Sequence, residues 1–293
     1  MTGSRISDSR LDAAQSAELK QLGDIDIDDV LGILDRDVPD YRQLYYRWES
    51  QQWEAGSIDL TDDLREWNNL DPDLKRSLGK MLSSLYAGAE QITHALVPFV
   101  DALPTEEQQV FLTTQLVDGA RHTVFFDRLF SEVLDGDGDD MESRLKRQAG
   151  ELDAGARSLL TEMLPAASER IRRDLTDLDS LIEGVTLLHI VVVSTLGITA
   201  QRYILNSARE IGSFRGLRQG LTAVARDETR HVGFGVRFLK EAVHQDPHCA
   251  ELIQRAVRAS LPLTLSALDP SDERKRFALN SLNNRLRAIG VEL

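Results

Sequence analysis

Apolar positions recur along most of this chain at spacings of three and four residues, and no run of alternating apolar and polar residues is bounded by hairpin turns. The pattern predicts an all-α protein built on four long helices. Asp71-Pro72 supplies an N-cap followed by proline at the first helical position, opening a helix over 72–97 that Pro98 is expected to stop. Thr105 and Gln108 have the spacing of a capping box and open the second, 105–134. The third, 178–211, is the most apolar, and the fourth spans 212–245. Shorter elements flank them: an aromatic-rich helix from Tyr41 to Ala55, two or three charged helices in 140–177, and one or two peripheral helices after Cys249, broken near Pro270. Residues 1–39 read as an acidic arm or cap with an amphipathic piece from Leu11 to Leu22, leaving 40–293 as a single helical-bundle domain.

Asp135-Gly136-Asp137-Gly138-Asp139-Asp140 looks superficially like a calcium loop. Its sixth position is Asp140 rather than glycine and its twelfth is Lys146 rather than glutamate, so a solvated turn is the expectation.

Charge narrows the partners. A formal net charge of -14, with 34 basic residues mixed among the acids, argues against binding a nucleic-acid backbone. The one cysteine, Cys249, excludes an intrachain disulfide, a cysteine-rich zinc module and an iron–sulfur cluster. No basic stretch followed by an apolar core is visible at the N-terminus, and the apolar run Leu187–Ala200 is interrupted by His189 and falls short of the roughly 20 residues that span a bilayer. A reducing cytoplasm without membrane association is the expected setting.

The chemistry falls on the four long helices. Glu228 and His231 are three residues apart, on one helix face, where they can grip one ion from one side. His122 has Asp118 one turn before it; Glu90 has Tyr86 and His94 one turn away on either side; His189 interrupts an apolar run. A lone histidine on an apolar face is ordinarily a hydrogen-bonded core residue, which is the plain reading of His189 and His94, and Tyr86 reads as packing.

Three strings then support a resemblance: Ala87-Gly88-Ala89-Glu90-Gln91-Ile92-Thr93, Leu112-Thr113-Thr114-Gln115 to Arg121-His122-Thr123, and Arg226-Asp227-Glu228-Thr229-Arg230-His231-Val232-Gly233-Phe234-Gly235. Over roughly residues 75–245 the chain resembles the ferritin-like di-metal carboxylate superfamily related to the ribonucleotide reductase small subunit, and most of all its ligand-binding oxidases. The resemblance implies a ferritin-like bundle in which Glu90, His122, Glu228 and His231 are metal ligands and Asp227 is hydrogen-bonded to a ligating histidine. Two of the six usual ligands are missing. Gly119 stands three residues before His122 where the family has glutamate, and Val193 stands at the glutamate of the third helix.

Two carboxylates suit one divalent ion better than two, and two histidines with one carboxylate make the facial set of non-haem iron oxygenases. One iron or manganese ion is therefore expected. Two ions, with Asp118, His189 or His94 as substitute ligands, and no ion at all stay open. Glycine inside a helix costs about 1 kcal/mol relative to alanine, so Gly119 implies room for a ligand, a water or a close neighbouring helix.

Phe126 stands where the resemblance would place a radical tyrosine, the tail ends without a tyrosine, and Ile92 and Leu188 replace the oxidases' crosslinked valine and tyrosine. The expected function is a metal-dependent oxidoreductase with an altered, mononuclear site activating oxygen toward a mainly apolar ligand, a homodimer rather than a working reductase subunit. The alternative is a metal-free, non-catalytic bundle that binds a ligand or a protein partner.

Overall fold

The computed structural model describes residues 21–32, 38–134, 140–268 and 270–293, and among them it contains helices and no strand. The amphipathic piece ahead of Leu22 and most of the acidic loop lie outside the described residues. In chain order the helices are α1 (Ile27–Leu31), α2 (Tyr41–Ser50), α3 (Thr61–Asn68), α4 (Pro72–Ala102), α5 (Glu106–Leu129) with a π turn over Phe130–Leu134, and α6 (Met141–Gly150). They continue as α7 (Ala154–Arg157, a π segment Ser158–Met163, then Leu164–Arg173), α8 (Leu178–Val185, π segment Thr186–Gly197, then Ile198–Ile211), α9 (Arg215–Gln245), α10 (His248–Ala267) and α11 (Asp272–Ile289). The four long helices are α4, α5, α8 and α9; α4 packs on α5, and the π segment of α8 packs on α9.

Local chemistry sets the ends of these helices. The Asp71 carboxylate accepts from the amides of Asp73 and Leu74 at the start of α4, and Thr105 and Gln108 form the reciprocal capping box of α5. Helix α9 has no side-chain cap of its own, because the residue before it, Phe214 at φ 61°, carries no side-chain acceptor. The cap comes instead from α3, where the Asp63 carboxylate accepts from the amides of Gly216 at 3.0 Å and Leu217 at 2.7 Å. Gly212, with φ 72°, ends α8 where a side chain would be strained.

One boundary differs from the expectation. Pro98 does not stop α4, which runs on to Ala102. The carbonyl that proline leaves without an amide donor is that of His94, four residues back, and His94 lies on the solvent side, where water can serve it.

Helix α8, Leu178–Ile211, is long and apolar enough to cross a membrane by composition, but 89% of its most apolar window is buried inside the protein. The His189 ring packs on Phe234, and Phe111, Phe125 and Phe234 are fully buried in the same core, each contributing roughly 1.5–3 kcal/mol by leaving water. Leu22, Ile27, Val30 and Leu31 are buried too, so the described part of the N-terminal segment packs on the bundle, with α1 against α9.

Candidate metal and ligand site

Helices α5 and α9 carry the same string, Asp-x-x-Arg-His, at Asp118–His122 and Asp227–His231. Each acid serves the other helix's histidine. His122 Nε2 donates to Asp227 Oδ2 at 3.0 Å, and His231 Nε2 donates to Asp118 Oδ2 at 3.0 Å. Arg230 bridges the acids, 2.6 Å from Asp227 and 3.1 Å from Asp118, while Arg121 lies 3.0 Å from Asp118. Two indoles complete the frame: Trp48 donates to Asp118 at 3.0 Å and Trp53 to Asp227 at 2.8 Å.

With both Nε2 atoms fixed, the Nδ1 atoms turn toward Glu228. His231 Nδ1 is 2.9 Å from Oε2 and His122 Nδ1 is 3.5 Å from Oε1, so the histidines flank opposite oxygens of one carboxylate. All three side chains lie in the interior. Burial opposes charge on His122, yet hydrogen bonds to Asp227 and Glu228 outweigh it and lift the imidazole to about 9. His231 is lifted likewise, burial being outweighed by Glu228 and Asp118. Burial works against ionised Glu228 as well, and the two histidines hold it down at about 2. The Nδ1 atoms that hold protons for Glu228 are the donors a cation would take.

The expected ligands do not all converge. Glu90 is a correction: it pairs with His94 Nδ1 at 3.2 Å and accepts from Gln91, at the outer surface of α4. The residue of α4 that shares a cavity wall with His122 and Glu228 is its neighbour Ala89, one position round the helix. His94, with its side chain 74% exposed, cannot substitute for a ligand. Tyr86 is fully buried but donates to Asp127 at 2.7 Å and stacks on Phe130, away from the cluster. His189 is fully buried, with Nε2 3.0 Å from Gln115 Oε1 and its ring against Phe234; burial above all, then the nearby His231, drives it down to about 3 and keeps it neutral. Asp118 holds His231 and two arginines and is a support for the histidine. Asp227 takes the place beside His122 that the resemblance implied.

The missing ligands have separate explanations. A Cβ on Gly119 would collide with Thr93 Oγ1 of α4, so this glycine serves a close neighbouring helix. Val193 lies on the wall of a cavity of about 70 Å³. Leu85, Ile92, Phe126, Leu160 and Leu196 form much of its apolar lining, and His122 and Glu228 reach it.

A two-metal centre does not fit these residues. Glu228 is the one carboxylate of the cluster that reaches the cavity. Charge agrees. With neutral imidazoles, Asp118, Asp227 and Glu228 exceed Arg121 and Arg230 by one negative charge, so one divalent ion leaves the cluster a single positive charge and two would leave it three. In kind, the donors fit a single ion: one carboxylate and two imidazole nitrogens.

Arg121, Arg230, Trp48 and Trp53 escaped the sequence reading. The repeated Asp-x-x-Arg-His string, in which Gly119 aligns with Glu228, was the signal that could have found the arginines; nothing local marks the tryptophans, which come from a distant segment.

Long antiparallel helices carrying histidines and acids toward a buried centre define the class of ferritin-like metal-carboxylate bundles. The chain belongs to the family described as "Ribonucleotide reductase, small chain", whose model matches residues 33–263. Its fold is the ferritin-like helical bundle of that family. Similar solved structures include a valine-to-leucine variant of an R2-like ligand-binding oxidase with an anaerobically reconstituted Mn/Fe cofactor, at 22% identity and TM-score 0.77, covering 87% of this chain and 94% of that one. A glycine-to-phenylalanine variant matches at 23% identity and TM-score 0.76, and a tyrosine-to-phenylalanine variant with an aerobically reconstituted Mn/Fe cofactor at 22% and 0.77, each with the same coverage.

Proposed function

We propose that this protein is a metal-dependent oxidoreductase whose centre has been reduced to one iron or manganese ion, acting on a mainly apolar ligand in the adjoining cavity. The carrying observation is the orientation of His122 and His231, both of which present Nδ1 to Glu228 while a carboxylate anchors each Nε2. Anchoring of this kind fixes the tautomer and raises the basicity of the free nitrogen. Glu228, His122 and His231 would hold the ion, which when bound supplies redox chemistry with oxygen. Asp118 and Asp227 keep the histidines aimed, Arg121 and Arg230 offset those acids, and Phe126, Ile92, Val193 and Leu196 exclude water and receive the ligand.

A second reading, a metal-free bundle that binds a ligand, is favoured by the same trio's closure on itself, since Glu228 already satisfies both histidines. Elemental analysis of protein produced with iron and manganese supplied separates the two. The first reading expects about one ion per chain, lost in His231→Ala, whereas less than about a tenth of an equivalent supports the second. About two ions per chain would overturn the single-ion site.

A further inference from the structure

The cavity beside Glu228 has a second polar end that the metal site does not use. Gln201 of α8 lies on its wall, only 3% exposed, and the side-chain carbonyl of this glutamine has no hydrogen-bond partner. Buried acceptors left so are rare, because their desolvation goes uncompensated. The last torsion of a glutamine is soft, so the amide can turn either its oxygen or its nitrogen into the cavity. This end lies far from the histidines. His122 is level with Ala89, since Gly119, one turn before it, meets Thr93 of α4. Met81, on the wall eight residues before Ala89, is about 12 Å farther along α4. Gln201 is eight residues beyond Val193 on α8, and Arg274 ties the two helices together there. Its guanidinium donates to Met81 Sδ at 3.1 Å and lies 4.9 Å from the Tyr203 ring centroid. Helix α7 runs beside α4 in the same sense, with Leu160 next to Gly88 and Ser168 bonded to the Ala95 carbonyl. Asp153, which caps α7 and is exposed on the cavity wall, therefore falls at the Met81 end and marks it as the mouth.

We infer that this slot takes an unbranched primary alcohol, with its hydroxyl on Gln201 and its methyl end toward Glu228. A cavity of about 70 Å³ holds roughly five to seven waters at ~10–15 Å³ each, which suits one slim chain. Between the two ends the wall is apolar, with Leu85, Leu160, Leu196 and Ala200 along it. A hydroxyl both donates and accepts, so it satisfies the Gln201 amide in either orientation, whereas a carboxylate brings no donor for the carbonyl. Charge at the mouth favours neither sign, since Arg274 and Asp153 both line it. At the closed end the Glu228 carboxylate is already held by two imidazoles, so the unmet hydrogen bond is the one at Gln201.

The inference rests on the proposed function for its cavity but not for its ion, because protein groups make every contact with the alcohol. Isothermal titration of the full chain, metal-free and manganese-loaded, tests it with n-octanol, octyl fluoride and ionised octanoate. Both forms are expected to bind n-octanol, and more tightly than octanoate. Gln201→Leu should weaken n-octanol at least about fivefold and leave octyl fluoride, which has no donor, within about twofold. No binding of n-octanol, tighter binding of octanoate, or a folded Gln201→Leu protein that holds n-octanol as the wild type does overturns it. Should Gln201→Leu fail to fold, nuclear Overhauser contacts in the wild type decide. The labelled terminal methyl of n-octanol should lie near Val193 and the hydroxymethyl group near Gln201; the reverse orientation overturns the assignment. Since the metal-free protein is titrated as well, a chain that takes up no ion defeats the oxidoreductase reading and still answers this one.

Discussion

Thr93 on α4 stands where any side chain on Gly119 of α5 would have to go, its hydroxyl anchored to the Ala89 carbonyl at 2.7 Å. The close approach of the two helices therefore takes the space that a carboxylate at position 119 would need. Gly119→Ala should gain about 1 kcal/mol of helix propensity yet lose more to overpacking, for a net destabilisation of about 1–2 kcal/mol. In a Thr93→Ala background the penalty should shrink or reverse. Urea unfolding of the four proteins of this double-mutant cycle measures the coupling, and additive effects would contradict the steric account.

Asp118 accepts from Trp48, Arg121, Arg230 and His231 at one buried carboxylate. Its replacement by alanine strands a buried guanidinium and a buried imidazole, and is expected to cost about 3–5 kcal/mol in urea unfolding. Asp118→Asn keeps one acceptor oxygen and should fall between it and the wild type.

Glu90 and His94 pair at the surface, so Glu90→Gln should change stability by no more than about 0.5 kcal/mol and leave metal content untouched, whereas Glu228→Gln should lower it. Elemental analysis of the pair of variants checks this, and loss of metal in Glu90→Gln would return that residue to the site.

Asp63 gives a pH signature. Burial raises its carboxyl to about 6, against the two amides of α9 that pull it down. The folded state then holds the proton more tightly than the unfolded chain does, so stability falls as pH rises from the unfolded carboxyl's range through about 6, and is level above. Asp63→Asn should flatten that slope in melts between pH 4 and 7. Asp63→Ala, which uncaps α9, should cost about 1–2 kcal/mol.

How much of this was legible beforehand follows from the residues. Caps written in adjacent positions, Asp71-Pro72 and Thr105 with Gln108, gave the starts of α4 and α5 to within a residue, and Glu228 with His231 could be placed on one face by spacing alone. The all-α class followed from the long apolar periodicities, and the ferritin-like bundle from the resemblance that the three strings carry. Glu90 misled because a one-residue rotation about α4 cannot be read from a helix whose inner and outer positions both tolerate it; Ala89 is inside. The α9 cap was hidden because Asp63 lies 153 residues from Gly216, and Pro98 because tolerance of a missing hydrogen bond depends on which side of the helix faces water.

The π segment Thr186–Gly197 has one more effect. Hydrogen bonds in such a stretch reach five residues back, as the Thr195 hydroxyl does to the Ile190 carbonyl. Each wide turn consumes an extra residue, so a phase error builds up against ordinary helical counting. His189 and Val193, which that counting would stack on one side, instead serve different places, His189 at Gln115 and Val193 at the cavity. A one-residue deletion within the segment would turn the rest of α8 like a key, by about 100°, and so exchange the residues that it presents to the cavity.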